Sequence, residues 1–157
     1  GARHPTITPF QAFATSDGAI IIAAGNDGLF VKTCEALGRP EIAADPDYKT
    51  NALRLKHHGR RERALESVLK GNTTEHWLGV IGKAGVPCGP INNVKQALEH
   101  PQVAARNMLV EVPDGGGGTL KLSGNPLKMS AFEDPKTRRA APDLDSDRQN
   151  ILSFLGG

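Results

Sequence analysis

Aromatic residues are scarce in this chain, and long apolar runs are missing from it. Phe, Trp and Tyr together make up 4% of the 157 residues, which argues against a surface built to stack nucleic-acid bases. The longest apolar run, residues 19–24, is far shorter than the roughly 20 residues that a membrane-spanning helix needs. The formal net charge of +2 indicates no particular class of partner.

Cysteine is equally rare. Cys34 and Cys88 lie in neither a CxxC motif nor a zinc-ligand spacing, and they cannot form a disulfide framework. The five histidines include no HExxH motif and no pair four residues apart, so we expect no metal site. A GxSxG motif and a Cys–His signature are also missing. We expect a reducing setting, either the cytoplasm or an organelle matrix.

The composition is that of an ordinary folded domain. Hydrophobic residues make up 38% of the chain and charged residues 23%, which is enough apolar material for a core. The pattern of short apolar runs and glycine or proline turns predicts an α+β fold. We expect a small antiparallel sheet flanked by several helices, with an extended N-terminal arm and a C-terminal return segment.

The first half of the chain contains the clearest element signals. Residues 19–24 form a β-branched run typical of a strand buried on both faces. Asn26 or Asp27 can cap the helix that follows, and Gly38 stands where a left-handed residue ends a helix. The inner face of this helix carries Leu29, Phe30, Thr33, Cys34 and Leu37. We therefore place Cys34 in the core.

Longer helices and a weak strand follow. We predict one helix over residues 50–70, capped by Thr50, and a second helix that begins at Thr73 or Thr74. Residues 86–91 are interrupted by proline and glycine and form at best a short edge strand.

The second half predicts a hairpin and a linker. Residues 109–112 and 119–122 have the pattern of paired strands. Residues 133–149 are charged and nearly free of apolar side chains, as in a linker. We therefore expect an arm at residues 1–17, a domain at residues 18–132, and a linker with a terminal helix at residues 133–157.

Two glycine-containing turns invite a phosphate-binding hypothesis. The four glycines at residues 115–118 lack the Lys-Ser or Lys-Thr pair of a phosphate loop and lead into a strand, so we interpret them as a hairpin tip. The turn at residues 25–28 lies between a strand and a helix N-terminus, where backbone N–H groups can hold an anion. Helix capping explains the same turn, and both interpretations stay open.

Residues 54–63 carry five cationic side chains in ten positions. We interpret them as a solvated helix face, with contact to a phosphate or another anion as the alternative. Sequence-specific recognition of nucleic acid is disfavoured, because no aromatic residues interleave with the cations and no recognition motif accompanies them.

Several motifs, in a fixed order, resemble one enzyme family. They are His-Pro-x-Ile-x-Pro-Phe-Gln-x-Phe-x-Thr-x-Asp-Gly at 4–18, Gly-Asn-Asp at 25–27, Leu-Gly-x-Pro-Glu at 37–41, Asp-Pro-x-Tyr-x-Thr-Asn-x-x-Arg at 45–54, Trp77, Ala-Gly-Val-Pro-x-Gly-Pro-Ile-Asn at 84–92, Pro-Gln-x-x-x-Arg-x-Met at 101–108, Gly-x-Pro-x-Lys-x-Ser at 124–130 and Ala-Pro-x-Leu at 141–144. The chain resembles the family III CoA-transferases, or CaiB/BaiF family, which includes formyl-CoA and succinyl-CoA:dicarboxylate transferases. It is most similar to members that act on dicarboxylates, such as succinyl-CoA:glutarate transferases.

The resemblance implies that the chain corresponds to the C-terminal, small-domain part of a longer enzyme. In the family, a large Rossmann-like domain carries most CoA contacts and a catalytic aspartate, and two chains interlock as a homodimer. The aspartate forms an aspartyl intermediate, from which CoA passes to a carboxylic acid. We therefore expect acyl-CoA, such as succinyl-CoA, as substrate, with no tightly bound cofactor and no nucleic-acid or membrane partner. We expect no catalytic residue in this chain.

The resemblance also places the N-terminal arm near the reacting acyl group, which some family members cover with a glycine-rich loop. Here that region holds no glycine run, and we expect its residues, with two residues of the following turn, to contact substrate. These candidates are His4, Pro5, Thr6, Ile7, Thr8, Gly25 and Asn26. His4 would either orient a substrate carboxylate or fill a structural role.

One departure from the family pattern lies near the C-terminus. The family usually has Leu-Gly-x-His after the proline, whereas this chain has Leu144, Asp145, Ser146 and Asp147. The loss of a turn glycine and the gain of two acids bear on how the tail docks. This departure supports the alternative hypothesis of a stand-alone, non-catalytic interaction or binding module.

Overall fold

The computed structural model describes residues 2–156 and has the α+β architecture that the sequence predicts. Residues 1 and 157, at the outer ends of the predicted arm and terminal segment, lie outside the described residues. The chain forms two compact units, residues 1–91 and residues 92–157. This boundary lies inside the predicted domain of residues 18–132. The sequence did not indicate it, because no change of composition marks residues 91 and 92.

A three-stranded antiparallel sheet organises the first unit. Its strands are β1 (Phe10–Ala14), β2 (Ala19–Ala23) and β3 (Cys88–Pro90), in the order β1-β2-β3. Its helices are α1 (Asp27–Ala36), α2 (Pro40–Ala44), α3 (Asn51–Lys56), α4 (His58–Leu69) and α5 (Thr74–Lys83), with a 3-10 turn at Pro46–Tyr48. The short edge strand predicted within residues 86–91 is confirmed as β3.

The structure differs from two sequence-based expectations about the sheet. Strand β2 is not buried on both faces: Ile20 and Ile22 are fully buried, whereas Ile21 between them is only half-buried. Its side chains alternate between the core and the opposite face, as the pleat of a strand requires. Strand β1 lies within the predicted arm and pairs along its whole length with β2. Its buried Gln11 hid the apolar alternation that would have indicated a strand.

The best-marked helix is confirmed. Asn26 caps α1, because its side-chain oxygen accepts a hydrogen bond from the backbone N–H of Leu29 at 2.8 Å. Gly38, with φ +67°, supplies the left-handed residue just beyond the helix end. Cys34 is fully buried in the core, as predicted.

The single helix predicted over residues 50–70 is divided into α3 and α4. The division falls at His57, whose φ of −102° and ψ of 25° depart from helical values. This bend accompanies two long-range contacts, from Arg54 on α3 and from Arg61 on α4, that both reach the N-terminal segment. These two contacts join residues distant in sequence, which local propensity does not encode.

The loop between β1 and β2 is fastened to α5 by Asp17. Its Oδ1 accepts hydrogen bonds from the backbone N–H of Thr74 at 2.8 Å, from the Thr74 hydroxyl at 2.9 Å and from the Thr15 hydroxyl at 3.1 Å. These bonds, the backbone bond from Thr74 foremost, hold the pKa of Asp17 below 3.8.

We expect Asp17→Asn to reduce the acid sensitivity of the first unit. Because the folded-state pKa of Asp17 is lowered, its carboxylate stabilises the fold above about pH 4, and this contribution is lost as the pH falls through the lowered value. Between about pH 7 and about pH 3, the urea midpoint followed by Trp77 fluorescence should therefore fall less in Asp17→Asn than in the wild type. The control is Glu35→Gln at an exposed carboxyl. Equal falls in Asp17→Asn and wild type would contradict the prediction.

The second unit is built around the predicted hairpin. Strand β4 (Leu109–Pro113) pairs with β5 (Thr119–Ser123), and Gly115 and Gly117 at the tip have positive φ. The helices of this unit are α6 (Val94–Leu98), α7 (Pro101–Ala105) and α8 (Arg148–Phe154). Residues 136–138, within the predicted linker, bond to β4: Lys136 and Arg138 flank Glu111 with two backbone hydrogen bonds of 2.9 and 2.8 Å.

Where the sequence departs from the family pattern, the backbone has a turn conformation that favours glycine. Asp145 has φ +69°, which is the left-handed region that non-glycine residues rarely occupy. Its side-chain Oδ1 accepts a hydrogen bond from Arg148 Nε at 2.9 Å. The backbone turn at this position is therefore formed without the family's glycine.

The second unit leaves much of its apolar surface in water. Its most exposed large apolar residues are Leu144, Phe154, Val94, Leu127, Phe132 and Leu155. Within residues 2–156, no helix is long and apolar enough to cross a membrane.

Candidate functional site

The N-terminal segment folds back on itself around His4. The His4 backbone N–H donates to the Phe10 carbonyl at 2.8 Å, and the His4 ring stacks on the Phe10 ring with 5.5 Å between centroids. Nδ1 of His4 accepts the backbone N–H groups of Thr6 at 3.2 Å and Ile7 at 3.0 Å. A neutral ring with Nδ1 as acceptor carries its proton on Nε2. His4 therefore has a structural role in the turn, and it keeps Nε2–H as a donor.

Two side chains of α3 hold this segment from the other side. Asn51 accepts the backbone N–H of Thr8 at 3.0 Å and donates to the Thr6 carbonyl at 2.8 Å. Arg54 Nε donates to the Thr8 carbonyl at 2.9 Å. Sequence analysis did not assign this role to Asn51 or Arg54. Their spacing of three residues, which puts both on one helix face, is the signal that was present in the Thr-Asn-x-x-Arg motif.

The structure brings the two predicted substrate-contacting pieces together. The N–H of Ala24, which precedes Gly25, donates to the Pro9 carbonyl at 2.9 Å. Arg54 bridges the same two pieces, because its Nη2 also donates to Asp27 Oδ1 at 2.6 Å. A methyl group added at Gly25 would meet no heavy atom within 4 Å, so the space beside the turn is open. We call residues 4–8 with Gly25 and Asn26 the arm–turn site. Thr8 within this site is fully buried, so its side chain does not face the open space.

The basic stretch is not one solvated face. Arg60 and Arg63 are exposed, as predicted, but Arg54 and Arg61 are both fully buried. Arg54 places its guanidinium 4.7 Å from the centre of the Phe30 ring and donates to the Tyr48 carbonyl as well. The tertiary fold turns two of the five cationic side chains into internal supports, which charge alone could not indicate.

Arg61 is less well paired than Arg54. Its Nη2 donates to Gln11 Oε1 at 2.9 Å, and Gln11 donates onward to Glu62. Within the described residues, Nε and Nη1 of Arg61 have no hydrogen-bond partner. Burial lowers the pKa of Arg61 to about 10. We regard Arg61 as a costly internal support for β1.

The titratable groups with shifted pKa values include both cysteines and three carboxyls. Burial raises the pKa of the Cys34 thiol to about 12 and also raises that of Cys88, so both favour the unreactive thiol form at neutral pH. The carboxyls with shifted pKa values are Asp17, Glu41 and Asp134, and all three are shifted downward, chiefly by hydrogen bonds. In residues 2–156, no group of three or more His, Cys, Asp and Glu side chains is placed to hold a metal ion.

Known proteins of one family are similar to this chain over nearly its whole length. The family model for "CoA-transferase family III" matches residues 1–148. Acetyl-CoA:oxalate CoA-transferase of Acetobacter aceti is 43% identical over 145 residues, covering 92% of this chain and 36% of that protein. Succinyl-CoA:glutarate CoA-transferase of Homo sapiens is 36% identical over 154 residues, covering 97% of this chain and 34% of that protein. The chain thus spans about a third of the length of these relatives.

A solved structure supports the same assignment. The fold matches a CaiB/BaiF family protein from Brucella suis with a TM-score of 0.74 and 34% identity, over 99% of this chain and 39% of that protein. Both sequence and fold match a part of longer proteins, 34–39% of their length. This chain belongs to CoA-transferase family III, the CaiB/BaiF family, and corresponds to the small-domain part of its members.

Proposed function

We propose that this chain is the small-domain part of an enzyme that moves CoA from an acyl-CoA to a dicarboxylic acid. The observation that carries the proposal is the match to transferases such as the acetyl-CoA:oxalate enzyme, of which the chain covers 36%. The nucleophilic aspartate and most CoA contacts would lie in a large domain outside this chain. A homodimer of the whole protein, working in the cytoplasm or an organelle matrix, completes the proposal.

In this proposal, the arm–turn site contacts the substrate. His4 keeps its Nε2–H as a donor because Nδ1 is occupied by two backbone N–H groups. That N–H would donate to one carboxylate oxygen of the acceptor while the other oxygen attacks the aspartyl-CoA thioester. This attack expels CoA thiolate and gives a mixed anhydride, and the thiolate then attacks the acceptor carbonyl to form the new acyl-CoA and release the aspartate. Asn26 Oδ1 already caps α1, which leaves its amide Nδ2 for the substrate. The chain would therefore orient and cover the reacting groups rather than form a bond to them.

The test is a hybrid enzyme. The corresponding part of the Acetobacter aceti relative, which is 43% identical, is replaced by this chain, and CoA transfer from acetyl-CoA to oxalate and from succinyl-CoA to glutarate is measured. We expect the hybrid to transfer CoA and the isolated chain to show no transfer. The control is the large-domain part of the relative alone, which should be inactive.

Two results would contradict the proposal. Turnover of acyl-CoA by the isolated chain would show that a nucleophile lies within it. A folded, dimeric hybrid without transfer activity would show that the chain cannot complete the active site.

The exposed apolar residues of the second unit favour one other function, a stand-alone interaction or binding module. An inactive hybrid, together with a defined partner recovered by the isolated chain, would support this alternative. Those apolar residues of this chain would then bind the partner, rather than pack against a large domain.

A further inference from the structure

Asn51 bonds to the backbone of the arm–turn site through both the oxygen and the nitrogen of its side-chain amide. Its amide oxygen accepts the Thr8 N–H, and its amide nitrogen donates to the Thr6 carbonyl. The two bonds pass on either side of Ile7, in the way that a neighbouring strand would bond to this segment. One side chain therefore sets the backbone of three consecutive site residues, 43 and 45 positions away in sequence.

The other support, Arg54, differs in an important respect. Arg54 is fully buried and also bonds to Tyr48 and Asp27, so it supports the core as well as the arm. Asn51 is half-buried, and both of its side-chain hydrogen bonds go to the arm. A change at Asn51 therefore alters the arm while leaving the core contacts of Arg54 in place.

We infer that Asn51 is a positioning residue for CoA transfer, which holds residues 6–8 in place so that the accessible Thr6 and Ile7 meet the substrate. This inference rests on the proposed function of the arm–turn site. Asn51 itself touches no reacting group in this scheme. It acts through the arm, because an error of about 1 Å in the placement of a contacting group is enough to slow a reaction severely.

The experiment separates the two hydrogen bonds of Asn51. Asn51→Ala removes both bonds, whereas Asn51→Asp keeps the acceptor for the Thr8 N–H and loses the donor to the Thr6 carbonyl. Aspartate is well tolerated in the first turn of a helix, where Asn51 lies. The matched control is Asn72→Ala, at an exposed asparagine of the same unit.

The first measurement is amide hydrogen exchange in the 157-residue chain. We expect exchange at the Thr8 N–H to speed up about tenfold in Asn51→Ala and to stay near the wild-type rate in Asn51→Asp and Asn72→Ala. The second measurement is steady-state transfer by the hybrid enzyme. We expect kcat per folded molecule to fall about tenfold or more in Asn51→Ala, with a smaller change in KM, and to fall less in Asn51→Asp.

The outcomes distinguish the inference from the proposal beneath it. Faster exchange at Thr8 with unchanged kcat in an active hybrid would overturn the positioning role and leave the proposed function intact. Unchanged exchange at Thr8 would overturn the inference at its first step. An inactive wild-type hybrid would instead contradict the proposed function, and the positioning role in CoA transfer would fall with it.

Discussion

Arg54→Leu should destabilise the first unit by roughly 3 kcal/mol, enough to remove much of the stability of a small domain. Arg54 is 0% exposed and donates three hydrogen bonds, to the Thr8 carbonyl, the Tyr48 carbonyl and Asp27. Leucine fills part of the space but leaves two carbonyl groups without their donor. Each buried group left unpaired costs about 1–3 kcal/mol.

The measurement is urea unfolding followed by the fluorescence of Trp77, which lies in the first unit. Arg54→Lys keeps the charge but cannot reproduce the fork of donors, so we expect an intermediate loss of roughly 1–2 kcal/mol. The control is Arg60→Leu, where the side chain is 54% exposed and pairs with Asp45 and Asp47. That change should cost less than about 1 kcal/mol. Equal midpoints for Arg54→Leu and Arg60→Leu would contradict the role given to Arg54.

Leu65→Ala is expected to have a similarly large effect, through packing rather than through hydrogen bonds. Leu65 is 0% exposed on α4 and belongs to the core beneath the sheet. Removing a buried leucine side chain loses its transfer free energy and leaves a cavity, at a cost of roughly 2–5 kcal/mol. The same urea titration measures the loss, because Trp77 is retained.

The matched control for this change is Ile91→Ala, in the same unit as Leu65 and Trp77. Ile91 is 56% exposed, so truncating it to alanine removes little buried surface and should change the unfolding free energy by less than about 1 kcal/mol. A loss at Leu65 no greater than the loss at Ile91 would show that α4 does not pack as the structure describes.

The elements with strong local signals could be predicted from the sequence. Helix α1 begins at its asparagine cap and ends before Gly38, and the hairpin of β4 and β5 turns through the glycine run as expected. These features depend on one or two residues whose backbone preferences are set by sterics and by a local hydrogen bond. The family resemblance also follows from ordered sequence motifs, and the family match over residues 1–148 confirms it.

The elements that the sequence did not reveal are those with long-range partners. The edge strand β1 contains a buried glutamine that bonds to Arg61, 50 residues away. The buried Arg54 likewise bonds to the N-terminal segment, 46 residues away. A helical pattern with many cations predicts an exposed face, because nothing local indicates a buried acceptor.

The candidate site likewise has features that the sequence predicts and features that depend on long-range contacts. Sequence by itself determined the family and the residues of the arm–turn site as candidates, because motif residues keep their order along the chain. Only the tertiary structure decided that Pro9 and Ala24 bond to each other and that Asn51 and Arg54 hold the arm. The physical reason is that a local motif limits the backbone conformations of its own residues, whereas hydrogen bonds between distant residues form only when the packed core brings donor and acceptor together.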